Sequence, residues 1–443
     1  MRSTTTDPLD GLDAIDWAGL DHAYGGAGDV PGLLRALCGP GERERDRALG
    51  ALYGNIFHQG SRYPASAVAV PFLARLAVDA TLPGRAEVLG LLASLAIGYD
   101  EAHLPAGVAI TQWRHERAEL AAKDGAAVLA ELDAWVAAAP DEGERRVREF
   151  RRRTFDPDEH LRSVDAELGA YDAVRAEVPR LAALLADGDA GVRAATAYLL
   201  AWFPEQAPHS LPLLLALLDA HGSGGEGAGG PDSAVAATAL VAVGLLGDAP
   251  LVPRLRPFLA SPDGLLRWAA AVALARLTST PTATGTAAAD TPTAGTGEAD
   301  QGLGAAVLTE LTAAEADPPE PGAPGVAFHE GDLRGYAAAS LTLLAADHPE
   351  EALDAVIDGL ARTSGPAAFA VTAAALRLAF GPPRPGPLPP FAELDERRRR
   401  LVRTLADLDE PTWRWGNFLE ILRAWGLPQD RPAIRAYAGL PAA

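Results

Sequence analysis

The side chains best suited to chemistry gather first at Tyr53–Tyr63, YGNIFHQGSRY. His58, Gln59, Arg62 and Tyr63 combine an imidazole that titrates near neutrality, an amide, a fixed cation and a phenol, with Tyr53 just upstream. A second array follows at Gly98–His103, GYDEAH, where Asp100, Glu101 and His103 add two carboxylates and an imidazole. Brought together by neighbouring loops, His58, Asp100, Glu101 and His103 would form a carboxylate–histidine site able to hold a metal or activate water. Asp-Glu-x-His is, however, a common loop sequence. The chain has no H-E-x-x-H, G-x-S-x-G or P-loop, and no strand-to-helix G-x-G-x-x-G. The glycine run at 222–230, GSGGEGAGG, has neither a preceding strand nor a following lysine, so it reads as a linker. The expectation is therefore no catalytic residue, no metal and no cofactor. The first array reads either as a binding edge or as a helix end closed by Gly60 as a C-cap glycine. In the second case its His and Arg would satisfy the last carbonyls.

Arginine clusters are the other candidates. Glu144–Arg153 holds six arginines in ten residues, with Arg145, Arg148 and Arg152 on one helical face, and Arg397–Arg400 with Arg403 forms a second stripe. Such stripes can track a phosphate backbone. The whole chain argues against that use: 443 residues carry 37 arginines and the lone Lys123 against 59 carboxylates, a net charge of −21. Even Arg114–Glu167, which contains the first stripe, has 10 basic and 14 acidic residues, the pattern of a solvated, salt-bridged helix. A protein partner is expected and nucleic acid is not. A single Cys38 excludes a disulfide framework or a cysteine-rich metal site. The N-terminus lacks the roughly 7–15 apolar residues of a secretory signal, and no window approaches the roughly 18–20 of a spanning helix. The expected setting is cytoplasmic, without membrane and with no small-molecule substrate identified.

The elements that must position these residues are helical. Val178, Leu181, Leu184 and Leu185 form one stripe and Val192, Ala195, Leu199 and Leu200 another, separated by Asp-Gly-Asp. The pattern recurs on arginine: Arg193, Arg267 and Arg334 each begin a run with apolar residues two, four and seven positions on. Arg193 and Arg267 lie 74 residues apart, with Ala236 standing between them where a degenerate unit would place its arginine. Each unit has a turn acid: Asp189, Asp263 or Asp332. Helix pairs are predicted near 30–58, 65–99, 173–204, 208–247, 250–278, 303–347, 350–380 and 391–426.

Pro179–Leu200, PRLAALLADGDAGVRAATAYLL, and Pro253–Leu274, PRLRPFLASPDGLLRWAAAVAL, resemble the short HEAT-like repeat, the form also found in phycobilin lyases. The resemblance implies an all-α fold, an α-α superhelix of about seven to eight helix pairs with a helical insertion. It also implies that turn acid and second-helix arginine hydrogen-bond along the stack. Tyr336 departs by needing more room than alanine. The first hundred residues, from Trp17 through HAYG, HQG and PFL, resemble uncharacterised bacterial HEAT-repeat proteins, which implies no activity.

The expected organisation is an N-terminal cap with two helix pairs (1–100), a charged helical insertion (101–172), HEAT-like repeats (173–278), a disordered Thr/Ala/Gly-rich loop (279–302) and C-terminal pairs with a cap (303–443). Within the insertion, helices are predicted over Gln112–Ala139, Asp141–Arg153 and Pro157–Ala173. Hairpin loops are predicted at 221–231 and 317–327, and Trp413, Trp415 and Trp425 are expected to cap the array. The functional expectation is a non-enzymatic scaffold binding a protein through its concave face or one loop edge. Tyr53, His58, Arg62 and Tyr63 would be the anchors. The alternative is a nucleic-acid binder or base-excision glycosylase, like the HEAT-like DNA glycosylases.

Overall fold

The helical period seen in the sequence is realised almost throughout. A computed structural model describes residues 7–223, 230–279, 297–384, 386 and 388–441. Its first half holds α1 (Val30–Leu37), α2 (Glu42–Asn55), α3 (Pro64–Val78), α4 (Arg85–Ile97), α5 (Ile110–Ala122), α6 (Gly125–Ala137), α7 (Glu142–Thr154), α8 (Pro157–Leu181), α9 (Ala190–Leu200) and α10 (Ala207–Ser223). The second holds α11 (Pro231–Leu246), α12 (Val252–Leu255), α13 (Gly264–Ser279), α14 (Gly297–Ala316), α15 (Leu333–Leu341), α16 (Pro349–Leu360), α17 (Ala368–Phe380), α18 (Glu396–Asp407), α19 (Glu410–Trp413), α20 (Gly416–Ala424) and α21 (Arg431–Tyr437). Among the described residues the only strands are two short antiparallel hairpins, β1 (Asp21–His22) with β2 (Gly25–Gly26) and β3 (Phe57–His58) with β4 (Ser61–Arg62). The fold is all-α.

The chain forms two compact units. Unit 1 comprises Met1–His103 and Gly107–Leu213, and unit 2 comprises Leu104–Ala106 and Leu214–Ala443, so the division falls inside α10. In unit 1, α8 packs on both α3 and α4, and α9 packs on α4. Helix-pair packing therefore resumes after the charged insertion as if α5–α7 were absent. The insertion differs in detail from the sequence expectation. The predicted helix over Gln112–Ala139 breaks at Lys123 and Asp124, both outside α5 and α6, with Asp124 in the N-cap position. The predicted helix ending at Ala173 instead continues to Leu181, so insertion and repeat share α8.

In unit 2, second helices pack on second helices (α11 on α13, α13 on α15, α15 on α17), and first helices on first (α14 on α16, α16 on α18). Helix α11 is buried on every side from Ser233 to Leu246, as expected for a helix enclosed by neighbours rather than lying at a surface. Close approach is written in small residues. A Cβ added to Gly244 would lie 2.6 Å from the Ala273 Cα of α13.

The repeat residues make hydrogen bonds within each helix pair. Asp189 caps α9 by accepting from the Gly191 and Val192 N–H groups, Asp263 accepts from Leu265 N–H, and Asp332 from Gly335 N–H. Arg193 donates to the Asp187 and Gly188 carbonyls at 2.8 and 3.3 Å, and Arg267 to those of Ser261 and Pro262 at 2.9 and 3.3 Å. Arg334 instead donates to the Glu315 and Ala316 carbonyls at the end of α14. Arg193 and Arg267 thus tie the second helix to the turn before it, whereas Arg334 reaches carbonyls that the end of α14 leaves open. Between pairs, the repeat arginine Arg267 also places its Nε 3.1 Å from Glu310 of α14, and Arg85 pairs with Asp187 at 2.8 Å. Tyr336 is fully buried against Trp268, with ring centroids 5.8 Å apart.

At the C-terminal end Trp413 and Trp425 are buried, the latter donating to the Gly381 carbonyl, while Trp415 is exposed beside Phe369. Of the loop expected over 279–302, Ser279 belongs to α13 and 297–302 open α14; 280–296 lie outside the described residues. Of 221–231, the first three residues end α10, Pro231 opens α11, and 224–229 lie outside the described residues.

Candidate functional site

The Tyr53–Tyr63 array runs from the end of α2 into a β-hairpin that carries His58, Gln59 and Arg62. Helix α2 stops at Asn55, and Gln59 and Gly60 both take positive φ, 50° and 86°, the geometry of a two-residue hairpin turn. Gly60 is thus a turn glycine and not the C-cap the sequence suggested. Two-residue strands pair Phe57 with Arg62 and His58 with Ser61. Tyr63 is extended before Pro64, which opens α3 as proline commonly does. Ser66 locks this junction: its Oγ accepts the Tyr63 N–H at 2.8 Å and donates to the Ile56 carbonyl at 2.6 Å.

The first hairpin, β1–β2, is fastened beside it. Ala23 N–H donates to the Asn55 carbonyl, and Asn55 Nδ2 donates to Asp29 at 2.6 Å. His22, buried in this hairpin, has both ring nitrogens engaged. Its Nδ1 accepts from Tyr24 N–H at 3.0 Å, which assigns the proton to Nε2, donated to Asp29 at 2.9 Å. This His–Asp pair resembles a catalytic dyad but has no ring nitrogen left over to take a proton.

Two exposed tyrosines rest on the β3–β4 hairpin. Tyr24, 70% exposed, meets His58 edge-on with centroids 5.3 Å apart. Tyr99, 46% exposed, meets Phe57 at 5.6 Å and covers Gly60, where an added Cβ would lie 3.0 Å from its ring. Tyr53 packs edge-on to Phe57 from the inner side. Burial, partly offset by a Ser94 hydrogen bond, raises its phenol above the ordinary range.

Arg62 turns inward beneath the hairpin. It donates to the Gly60 carbonyl and pairs with Glu167 of α8 at 3.3 Å, leaving Nε buried without a partner. Gly98 gives it room, since a Cβ there would lie 2.7 Å from the guanidinium. Burial pulls the guanidinium below its ordinary range, with Glu167 opposing. Glu167 also lines a groove of about 410 Å³ between α5 and α8, together with Trp113, Glu116, Arg117 and His160.

The residues of the expected carboxylate–histidine cluster go to different partners. His58 faces Tyr24, whereas buried His103 is tied through Nε2 to the Ile97 carbonyl at 2.9 Å and packs against Trp113 and Trp202. Burial holds its imidazole below the ordinary value. Asp100 is 5% exposed and accepts from Tyr198 at 3.1 Å, and burial with the Asp100 charge pushes Tyr198 well upward. Glu101 is exposed. Among the described residues no three His, Cys, Asp or Glu side chains gather as a metal would require. Gln59 serves the turn, and Tyr63 lies at the base of the hairpin. Tyr24, Asp29, Tyr99 and Glu167 complete the site, and the sequence did not single them out. The tyrosines stood beside both arrays, at HAYG and GYDEAH, as the only signal available.

The arginine stripes are consumed locally. Arg148 lies buried over the Trp135 ring and binds Glu144, Arg152 pairs with Asp133, and Arg145 with Glu142. Arg397 pairs with Asp354 and Glu350, and Arg400 with Asp354 and Asp358. Among the described residues no helix is long and apolar enough to cross a membrane. No family model matches the chain, and no curated protein matches it.

Proposed function

We propose that this chain is a non-enzymatic helical scaffold that binds a protein partner through the hairpin edge of unit 1. Its helix pairs are read as HEAT-like repeats, a reading supported by like-on-like packing and by the shared arginine contact at Arg193 and Arg267. The observation that carries the function is the pair of exposed tyrosines, Tyr24 and Tyr99, clamped on one six-residue hairpin. Rigid, solvent-facing tyrosines offer large amphipathic area with little conformational entropy to lose, which is why they dominate protein-recognition surfaces. Beneath them the Arg62–Glu167 pair, the Ser66 lock and the His22–Asp29–Asn55 chain hold the edge in place. A nucleic-acid function has less support, because most arginines of the two stripes, Arg145, Arg148, Arg152, Arg397 and Arg400 among them, are paired with carboxylates.

The test is affinity capture with the full chain, comparing wild type with the double variant Tyr24→Ala/Tyr99→Ala. Both positions are exposed, so the variant should fold, as circular dichroism would check. A partner retained by wild type and lost by the variant supports the reading. Equal capture by both refutes the assignment of the edge.

A further inference from the structure

The surroundings of the hairpin edge have a charge of one sign. Residues 7–34 contain Asp7, Asp10, Asp13, Asp16, Asp21 and Asp29 and no lysine or arginine. Asp13 is taken up by Arg35 and Asp29 by His22 and Asn55, whereas Asp16 and Asp21 are exposed, Asp21 on β1 itself. The nearest cation of the second hairpin, Arg62, is buried and paired with Glu167. Tyr24 thus shares its hairpin with exposed Asp21, and Tyr99 is followed in the chain by Asp100 and exposed Glu101, with no guanidinium of the described residues stacked on either ring. Elsewhere among the described residues arginine does stack on rings: Phe72 has Arg75, Trp135 has Arg148, Phe150 has Arg153, Phe380 has Arg398 and Phe391 has Arg403. An electron-rich ring face beside exposed carboxylates is the arrangement that attracts a desolvating guanidinium.

We infer that the tyrosine edge takes an arginine-bearing segment of a partner protein, whose guanidinium groups stack on Tyr24 and Tyr99 while Asp16 and Asp21 supply counter-charge. This deepens the preceding reading and rests on it. The field of a chain at −21 steers such a segment in and repels phosphate backbones and anionic lipid surfaces. Charge alone would collect any polycation, so the stacking contact is what distinguishes a site from an acidic surface.

The experiment titrates the full chain against labelled peptides of alternating serine with arginine, lysine or glutamine, read by fluorescence anisotropy. Arginine should bind tighter than lysine, and glutamine should not bind. Tyr24→Ala/Tyr99→Ala leaves the net charge unchanged and should weaken the arginine peptide about tenfold, whereas Tyr24→Phe/Tyr99→Phe should retain most of the affinity. Asp21→Asn should weaken binding and reduce its salt dependence. If the double alanine variant binds the arginine peptide as tightly as wild type, the attraction is unspecific and the inference falls. It also falls if the glutamine peptide binds as well as the arginine peptide. If no basic peptide binds while the double variant still loses its captured partner, the edge recognises another chemistry: the inference falls and the proposed function stands.

Discussion

Glu315 allows a quantitative check on the packing of unit 2. It lies near the end of α14, 1% exposed, with neither carboxyl oxygen hydrogen-bonded and with Gly359 of α16 directly against it. Burial pushes its carboxyl well above the ordinary range; Arg334 and Arg362 pull it down and Asp332 adds to the rise. Two costs follow for the native state. A buried polar group without a partner costs about 1–3 kcal/mol at any pH. In addition, once the pH passes about 4.3 the unfolded chain releases a proton that the folded chain keeps, at about 1.4 kcal/mol per pH unit up to the folded midpoint. The wild type therefore loses stability from this group as pH rises. Glu315→Met has a similar length and slightly greater bulk, and removes both costs. It should be more stable than wild type by about 1–3 kcal/mol near pH 4, with the gap widening as pH rises. Urea denaturation across that range measures it. A gap that does not change with pH, or a methionine variant less stable than wild type, would refute the reasoning.

Other perturbations follow from the same contacts. Gly244→Val forces a side chain into the Ala273 backbone and should cost about 1–3 kcal/mol in denaturant unfolding. Arg62→Ala empties the base of the hairpin and strands Glu167, which reaches solvent, so a loss of about 2–3 kcal/mol is expected. For His103 the folded value lies below 6.5, so acid protonates the unfolded chain first and stability falls as pH drops below that value. His103→Phe should flatten that part of the thermal-midpoint profile. Deleting 280–296 should leave both folding and partner capture unchanged, as circular dichroism and capture with the wild-type comparison would show.

What was legible in the sequence was what local periodicity and capping chemistry determine. The stripe Val178, Leu181, Leu184, Leu185 is buried as a set, although its last two residues fall in a short 3-10 segment after α8. Asp189, Asp263 and Asp332 stand at helix starts because a carboxylate there meets free N–H groups. The hairpins were hidden because strands of two residues are too short to display a period of two. Gln59 also adopts a left-handed conformation its residue type does not announce. The partners of Arg62 and Arg85 were hidden for another reason. Glu167 and Asp187 lie about a hundred residues away, across the insertion, and only tertiary packing brings them near. Nothing in ELTAAEA marks Glu315 as buried, since glutamate on an amphipathic helix normally faces water.

The central claim is that the tyrosine edge is where a protein binds. Its most direct test is site-specific photo-crosslinking in the cells that make the protein, with the crosslinking residue placed at Tyr24 or, in a separate variant, at the exposed Phe150 of α7. A discrete protein adduct from position 24 that is absent from position 150 is the predicted result. Adducts from position 150 alone, or a nucleic-acid adduct at position 24, would contradict the account.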